Sequence, residues 1–197
     1  LLSGGLVQKE RLTAFSDGVI TIIITIMVLE LKVPHGEDWA DLAKLVPTFL
    51  SYVLSFVYVA IYWNNHHHLL HTSERVNSAI LWANMHLLFW LSLIPFATGW
   101  MGENHFAALP TALYGVSLLM PSVAYVILQW TIVRLHGRHG ILARALGRDY
   151  KGKISTILYL VAIPVAFFAP WLAQTIYVAV ALLWLCPDRR IERALKT

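Results

Sequence analysis

Apolar residues fall in six long runs, separated by short polar or turn-forming stretches: Leu12 to Leu31, Leu45 to Leu70, Val76 to Met101, Ala107 to Leu135, Ile154 to Ala169 and Trp171 to Pro187. A helix rises about 1.5 Å per residue and must cover roughly 30 Å of hydrocarbon, so runs near 20 residues predict membrane-spanning helices. The last two runs are short for a full crossing and are divided only by Pro170, which predicts a tight helical hairpin. The expected fold class is all-α: an integral membrane six-helix bundle forming a single domain over residues 1–197, with no internal repeat, low-complexity tract or long linker. The first run carries Asp17 in its interior and no small-residue cleavage site follows it, so it reads as a span and not as a signal peptide.

Composition narrows the function classes. Of 197 residues 58% are hydrophobic and only 13% charged, about half the charged fraction of a soluble domain, which leaves too little polar surface to face water. A soluble enzyme, a nucleic-acid reader and a secreted disulfide scaffold are excluded. The single cysteine, Cys186, excludes an internal disulfide and a zinc site built from several cysteines. The net charge of +4 acquires meaning from its placement. With the N-terminus inside, the cytoplasmic segments hold Lys9, Arg11, Arg75, the basic residues from Arg134 to Lys153 and those from Arg189 to Lys196, which is 13 of 15. Only Lys32 and Lys44 remain outside, among Glu37, Asp38, Asp41 and Glu103, so both termini are expected in the cytoplasm. This bias already accounts for the basic Arg134 to Lys153 stretch, and no nucleic-acid partner is expected.

The first span carries the most information. Asp17 lies about 9 Å along a helix starting near Arg11, at a depth where an unpaired charge costs roughly 2.5–3.5 kcal/mol even on the lenient insertion scale, so it needs a partner. At 100° per residue, Ile22, Ile26 and Leu29 share a stripe with Arg11, Phe15 and Gly18, Thr25 lies at its edge, and Ser16 and Asp17 point elsewhere. One side is an aliphatic ladder; the other carries an acid that must dock on neighbouring helices. Periodicity alone leaves open whether the ladder faces lipid, core or something else.

Arg11-x-x-x-Phe15-Ser16-Asp17 opening the first span, with hydroxyl and aliphatic positions after it and Leu29-Glu30 at its end, closely resembles the signature of the transmembrane-protein-175 family of potassium channels. A His-rich end to the second span and Pro95-Phe96 late in the third support the resemblance, which extends over all six spans. A single six-span unit resembles the prokaryotic branch, which implies a homotetramer in the cell (inner) membrane with the first helix lining one central pore. The resemblance further implies that Ile22, Ile26 and Leu29 form aliphatic constrictions, with Thr25 a hydroxyl near them, and that Arg11, Ser16 and Asp17 belong to a hydrogen-bonded network with Trp63, His67 and Asn84 as partners. The sequence contains no Thr-Val-Gly-Tyr-Gly loop for a carbonyl filter. The implied activity is moderately selective potassium conduction, with potassium ions and the lipid bilayer as partners, no enzymatic activity and no cofactor.

The remaining polar residues admit several readings. His66, His67, His68 and His71 suit hydrogen bonding, proton sensing or, through the i, i+4 pair His67 and His71, a metal; the absence of a His-Glu-x-x-His sequence and of an evident third ligand argues against a metal. Asn84 and His86 in the third span lie at similar depth. Pro95, Pro121 and Pro164 are expected to kink their helices, and Trp82, Trp90, Trp100, Trp130, Trp171 and Trp184 to act as packing and interface anchors. Glu30 and Glu103 near the outer ends of spans would concentrate cations weakly. The rival to a channel is a proton- or ion-coupled transporter using Asp17 and the histidines, against which stands the lack of an inverted repeat or broken-helix pair. An intramembrane hydrolase is disfavoured because Ser16 and Asp17, adjacent on one helix, cannot face each other.

Overall fold

A computed structural model describes residues 2–73, 75–137 and 150–185, with side chains from Gln8 onward. Its helices are α1 (Leu2–Leu29), α2 (Trp39–Ala43), α3 (Val46–His71), α4 (Ser78–Ser92), α5 (Ile94–Glu103), α6 (Ala108–His136), α7 (Tyr150–Val165) and α8 (Pro170–Leu185). The fold is all-α. Gln8–Leu29, Val46–His71, Ser78–Glu103 and Ala108–His136 are each long and apolar enough to cross a membrane, while α7 and α8 are shorter and joined by a tight turn before Pro170. α1 begins ten residues before Leu12, where the first apolar run starts, and α4 and α5 divide the stretch of the third run between them. The end of the sixth run at Pro187, and the basic residues Arg138, Arg144, Arg148, Arg189, Arg190, Arg193 and Lys196, lie outside the described residues.

The prolines act differently from one another. Pro95 stands in the first turn of α5, where its missing N–H costs nothing, and the third span breaks beside it at Leu93, which caps both α4 and α5. α6 is unbroken across Pro121, and α7 ends one residue after Pro164. Between α5 and α6 the chain reverses through His105 and Phe106, both in the left-handed region at φ +50° and +59°, closed by the Phe106 N–H on the Met101 carbonyl at 3.0 Å.

Two apolar cores hold the bundle. The first gathers Leu12, Ile20, Ile23 and Met27 of α1 with Val59, Leu69 and Leu70 of α3, Ile80, Leu87 and Leu91 of α4, and Leu128 and Ile132 of α6. The second joins Tyr58 of α3, Ala97 and Met101 of α5, Tyr114 and Leu118 of α6, Tyr159 and Ala162 of α7, and Tyr177 and Val180 of α8. α1 packs on α3, α4 and α5, at the margin of the bundle. Close approach depends on small residues: a Cβ built on Gly102 would lie 2.4 Å from Ser51 Oγ and 2.7 Å from Thr48 Cα, and one on Gly115 would lie 2.1 Å from Tyr177 Oη.

Candidate functional site on α1 and the polar layer behind it

α1 divides into two faces. Leu12, Ser16, Ile20, Ile23 and Met27, spaced by four, four, three and four residues, are buried against the bundle. The opposite face is uncovered in the protomer: Ile22 is 58% exposed, Ile26 43% and Leu29 75%, with Phe15, Gly18, Thr21 and Thr25 also exposed, and a Cβ added at Gly18 would meet nothing within 4 Å. Thr21 Oγ1 donates to the Asp17 carbonyl at 2.7 Å and Thr25 Oγ1 to the Thr21 carbonyl at 2.9 Å. Each hydroxyl proton is committed to the helix, so the oxygen lone pairs are what this face presents to its surroundings. Thr21 was not singled out from the sequence, although it lies one turn before Thr25.

Behind the ladder, Asp17 Oδ1 accepts from Trp63 Nε1 on α3 at 3.0 Å. Ser16, fully buried, donates to the Leu12 carbonyl at 2.8 Å and accepts from Asn84 Nδ2 on α4 at 2.9 Å. Asn84 Oδ1 in turn lies 2.7 Å from His66 Nε2, so with the amide nitrogen turned to Ser16 the imidazole carries its proton on Nε2 and donates it. The chain Leu12, Ser16, Asn84, His66 thus ties α1, α4 and α3 together within the first core, leaving His66 Nδ1 buried without a partner among the described residues.

Of the residues expected in this network, Ser16, Asp17, Trp63 and Asn84 are brought together, and the other two are placed elsewhere. His67 makes ring contacts along its own helix, 6.0 Å from Trp63 and 4.4 Å from His71 between centroids, while His66 occupies the buried position. Arg11 is exposed and has no polar partner among the described residues. Phe15 is exposed on the ladder face. His86 accepts from Trp90 Nε1 at 2.9 Å and belongs to α4 alone. His66 falls in register with buried Ser55 and Val59 on α3, whereas His67 is turned 100° away.

At the opposite end of α1, Lys32 forms an ion pair with Glu103 at the end of α5. That bond, with the nearby Glu30 adding to it, raises the Lys32 pKa above the ordinary lysine value, so its ammonium stays charged throughout the neutral range. Glu30 packs beside Gly99. Glu30 and Glu103 edge a groove of about 570 Å³ between α1 and α5, walled by Ile22, Ile26, Phe96 and Trp100. The exposed ladder is therefore continuous with a negatively edged groove.

Residues 11–95 match the profile of the family described as the endosomal/lysosomal potassium channel TMEM175. The chain is 56% identical over 95% of its length to a protein named as a potassium channel from a Chryseobacterium species, of which it covers 98%. It is 32% identical over 64% of its length to another so named from Streptomyces collinus, covering 66% of that protein. The crystal structure titled as a lysosomal potassium-selective channel TMEM175 homolog from Chamaesiphon minutus superposes with a TM-score of 0.79 at 26% identity, over 90% of this chain and 96% of that one.

Proposed function

The chain belongs to the TMEM175 family of potassium channels, and from that premise we propose that four copies assemble in the cell membrane as a homotetramer whose α1 helices meet at a central axis and conduct potassium between rings of Ile22, Ile26 and Leu29. The observation that carries the reading is the two-faced α1. An aliphatic ladder is left open on the protomer while the helix's other face is pinned by a polar chain that leaves it little freedom to rotate independently.

Four-fold rings of Ile and Leu pinch a pore until water withdraws from it, which closes it to ions; a small dilation rewets it. No carbonyl cage replaces the lost hydration at such a ring. Selection then follows from the cost of partial dehydration, which is lower for potassium than for the more tightly hydrated sodium. Thr25 and Thr21, whose oxygens face outward with their protons engaged, offset part of that cost. The expected selectivity is moderate. Both termini lie in the cytoplasm in this arrangement, the only small species handled is the permeant ion, and no catalytic step or cofactor is required.

The test is electrical. Purified protein in planar lipid bilayers, with potassium and sodium exchanged across the membrane, should give a reversal potential favouring potassium. Leu29→Ala and Ile22→Ala, singly and together, should raise conductance and lower the potassium-to-sodium ratio, each by roughly two-fold or more as the dehydration barrier at the ring falls. Unchanged conductance and ratio in the double variant would remove these side chains from the pore.

A further inference from the structure

We propose that the groove between α1 and α5 is a binding site for a hydrophobic organic cation of the quaternary ammonium or phosphonium class. Its position follows from two helix faces. Ile22, Ile26 and Glu30 of α1, spaced by four, line one side, and Phe96, Trp100 and Glu103 of α5, spaced by four and three, line the other. The space between them is about 570 Å³, within the range of about 300–1,000 Å³ that small-molecule sites occupy.

The walls are apolar and the end is charged. Phe96, 65% exposed, and Trp100 have ring centroids 6.3 Å apart and planes inclined by only 23°, so they present one continuous aromatic surface opposite Ile22 and Ile26. The face of an aromatic ring is electron-rich and attracts a cation. Two carboxylates stand at the end. Glu103 is taken by Lys32, whereas Glu30 has no hydrogen-bond or ion-pair partner among the described residues. Gly99 admits it: a Cβ there would lie 3.3 Å from Glu30 Oε2, so the carboxylate rests close against α5, the helix that carries the aromatic wall. Ser92, also in the lining, gives its hydroxyl proton to the Phe89 carbonyl at 2.7 Å. Glu30 is thus the group left for a ligand, and it is an anion.

Other occupants match only part of this surface. A bare potassium ion finds no ring of oxygens on these walls to replace its hydration. An acyl chain suits the walls and leaves the Glu30 carboxylate without a counter-charge. A second copy related by rotation about the membrane normal brings up its own residues at the same depth, and on the uncovered side of α1 these are Thr25 and Val28, which are uncharged. A cation with apolar substituents meets wall and end together: its body lies on Ile22, Ile26 and Phe96, and its charge sits between Glu30 and the ring faces, partly shielded from water, where the attraction to the rings is stronger. Recognition needs one protomer alone, so failure of binding and failure of conduction are separate results.

Equilibrium binding of radiolabelled tetraphenylphosphonium to the full chain in lipid nanodiscs tests the site. Empty nanodiscs correct for partition into lipid, and tetraphenylborate, an anion of nearly the same size and shape, separates charge from greasiness. The phosphonium should bind saturably and the borate should not. Glu30→Gln should weaken binding by roughly ten-fold, as the loss of a close opposite charge. Phe96→Leu should weaken it by roughly three-fold, the size of a cation–ring contact, and Phe96→Tyr should restore it. Phe96 is exposed and Glu30 unpaired, so the fold does not depend on either. No binding above that of empty nanodiscs, equal binding of the borate, or binding untouched by Glu30→Gln would each overturn the proposal. So would weakening by Glu30→Gln with Phe96→Leu unchanged, which is the mark of a charged pore mouth and not of this groove.

Discussion

Asn84 is the residue through which three helices share one hydrogen-bond chain. Its amide donates to Ser16 and its carbonyl oxygen faces His66, all three fully buried. Replacing it by Leu keeps the γ-branched shape and strands the His66 Nε2–H, whose other ring nitrogen has no partner among the described residues. A stranded buried donor costs about 1–3 kcal/mol, whereas removing both partners in favour of apolar groups of similar shape is close to neutral. Asn84→Leu should therefore lower the thermal unfolding midpoint in detergent micelles, and His66→Leu with Asn84→Leu should recover most of the loss. Strictly additive losses in the two single variants and the double would show that the chain carries no coupling. The sequence announced that Asp17 needed a partner and offered Trp63 among the donors. It did not distinguish among three consecutive histidines, because each is equally polar and only the phase of α3 against its neighbours decides which one is turned inward. The exposed ladder was legible for the converse reason: helical periodicity fixes which residues share a face of one helix. What covers that face lies outside the protomer, where helical periodicity has nothing to say.

Elements were legible where apolar runs are long. α1, α3 and α6 appeared as runs because a membrane span needs some 20 apolar residues and leaves no alternative pattern. The five-residue α2, none of whose residues is buried, did not, since a single turn and a half has no periodicity to read. The break at Leu93 was foreshadowed by Pro95, while Pro121 lies within a helix that runs on to His136. Packing between elements is where glycine decides. On α5, Gly102 meets the Thr48 backbone of α3, which has no side-chain freedom with which to yield. Gly102→Ala should cost about 1–3 kcal/mol through overpacking. Gly18→Ala on the open face of α1 meets nothing within the protomer and gains roughly 0.5–1 kcal/mol of helix propensity. Thermal unfolding of the two variants should shift in opposite directions. A loss at Gly18 as large as that at Gly102 would report a second copy packed against this part of α1.

For the whole molecule, the charges left at the C-terminal end of α1 matter more than any single residue's packing. Lys32 and Glu103 cancel each other, and Glu30 stands beside them at the rim of the groove that continues the ladder. If four α1 helices surround a pore, four Glu30 carboxylates edge its mouth and raise the local cation concentration, and Lys32 opposes them. Both effects act through water and fade as the Debye length shrinks from about 30 Å at 0.01 M salt to about 3 Å at 1 M. Glu30→Gln should lower single-channel potassium conductance by roughly two-fold in 0.02 M potassium chloride, a modest instance of electrostatic focusing. Lys32→Gln, which frees Glu103, should raise it, and both variants should converge on the unaltered chain at 1 M. Opposite signs at low salt and convergence at high salt distinguish a surface-charge effect at the mouth from damage to the pore. A change that is independent of salt, or of the same sign for both variants, would place these residues away from the ion's path and would leave α1's open face to lipid or to packing between copies.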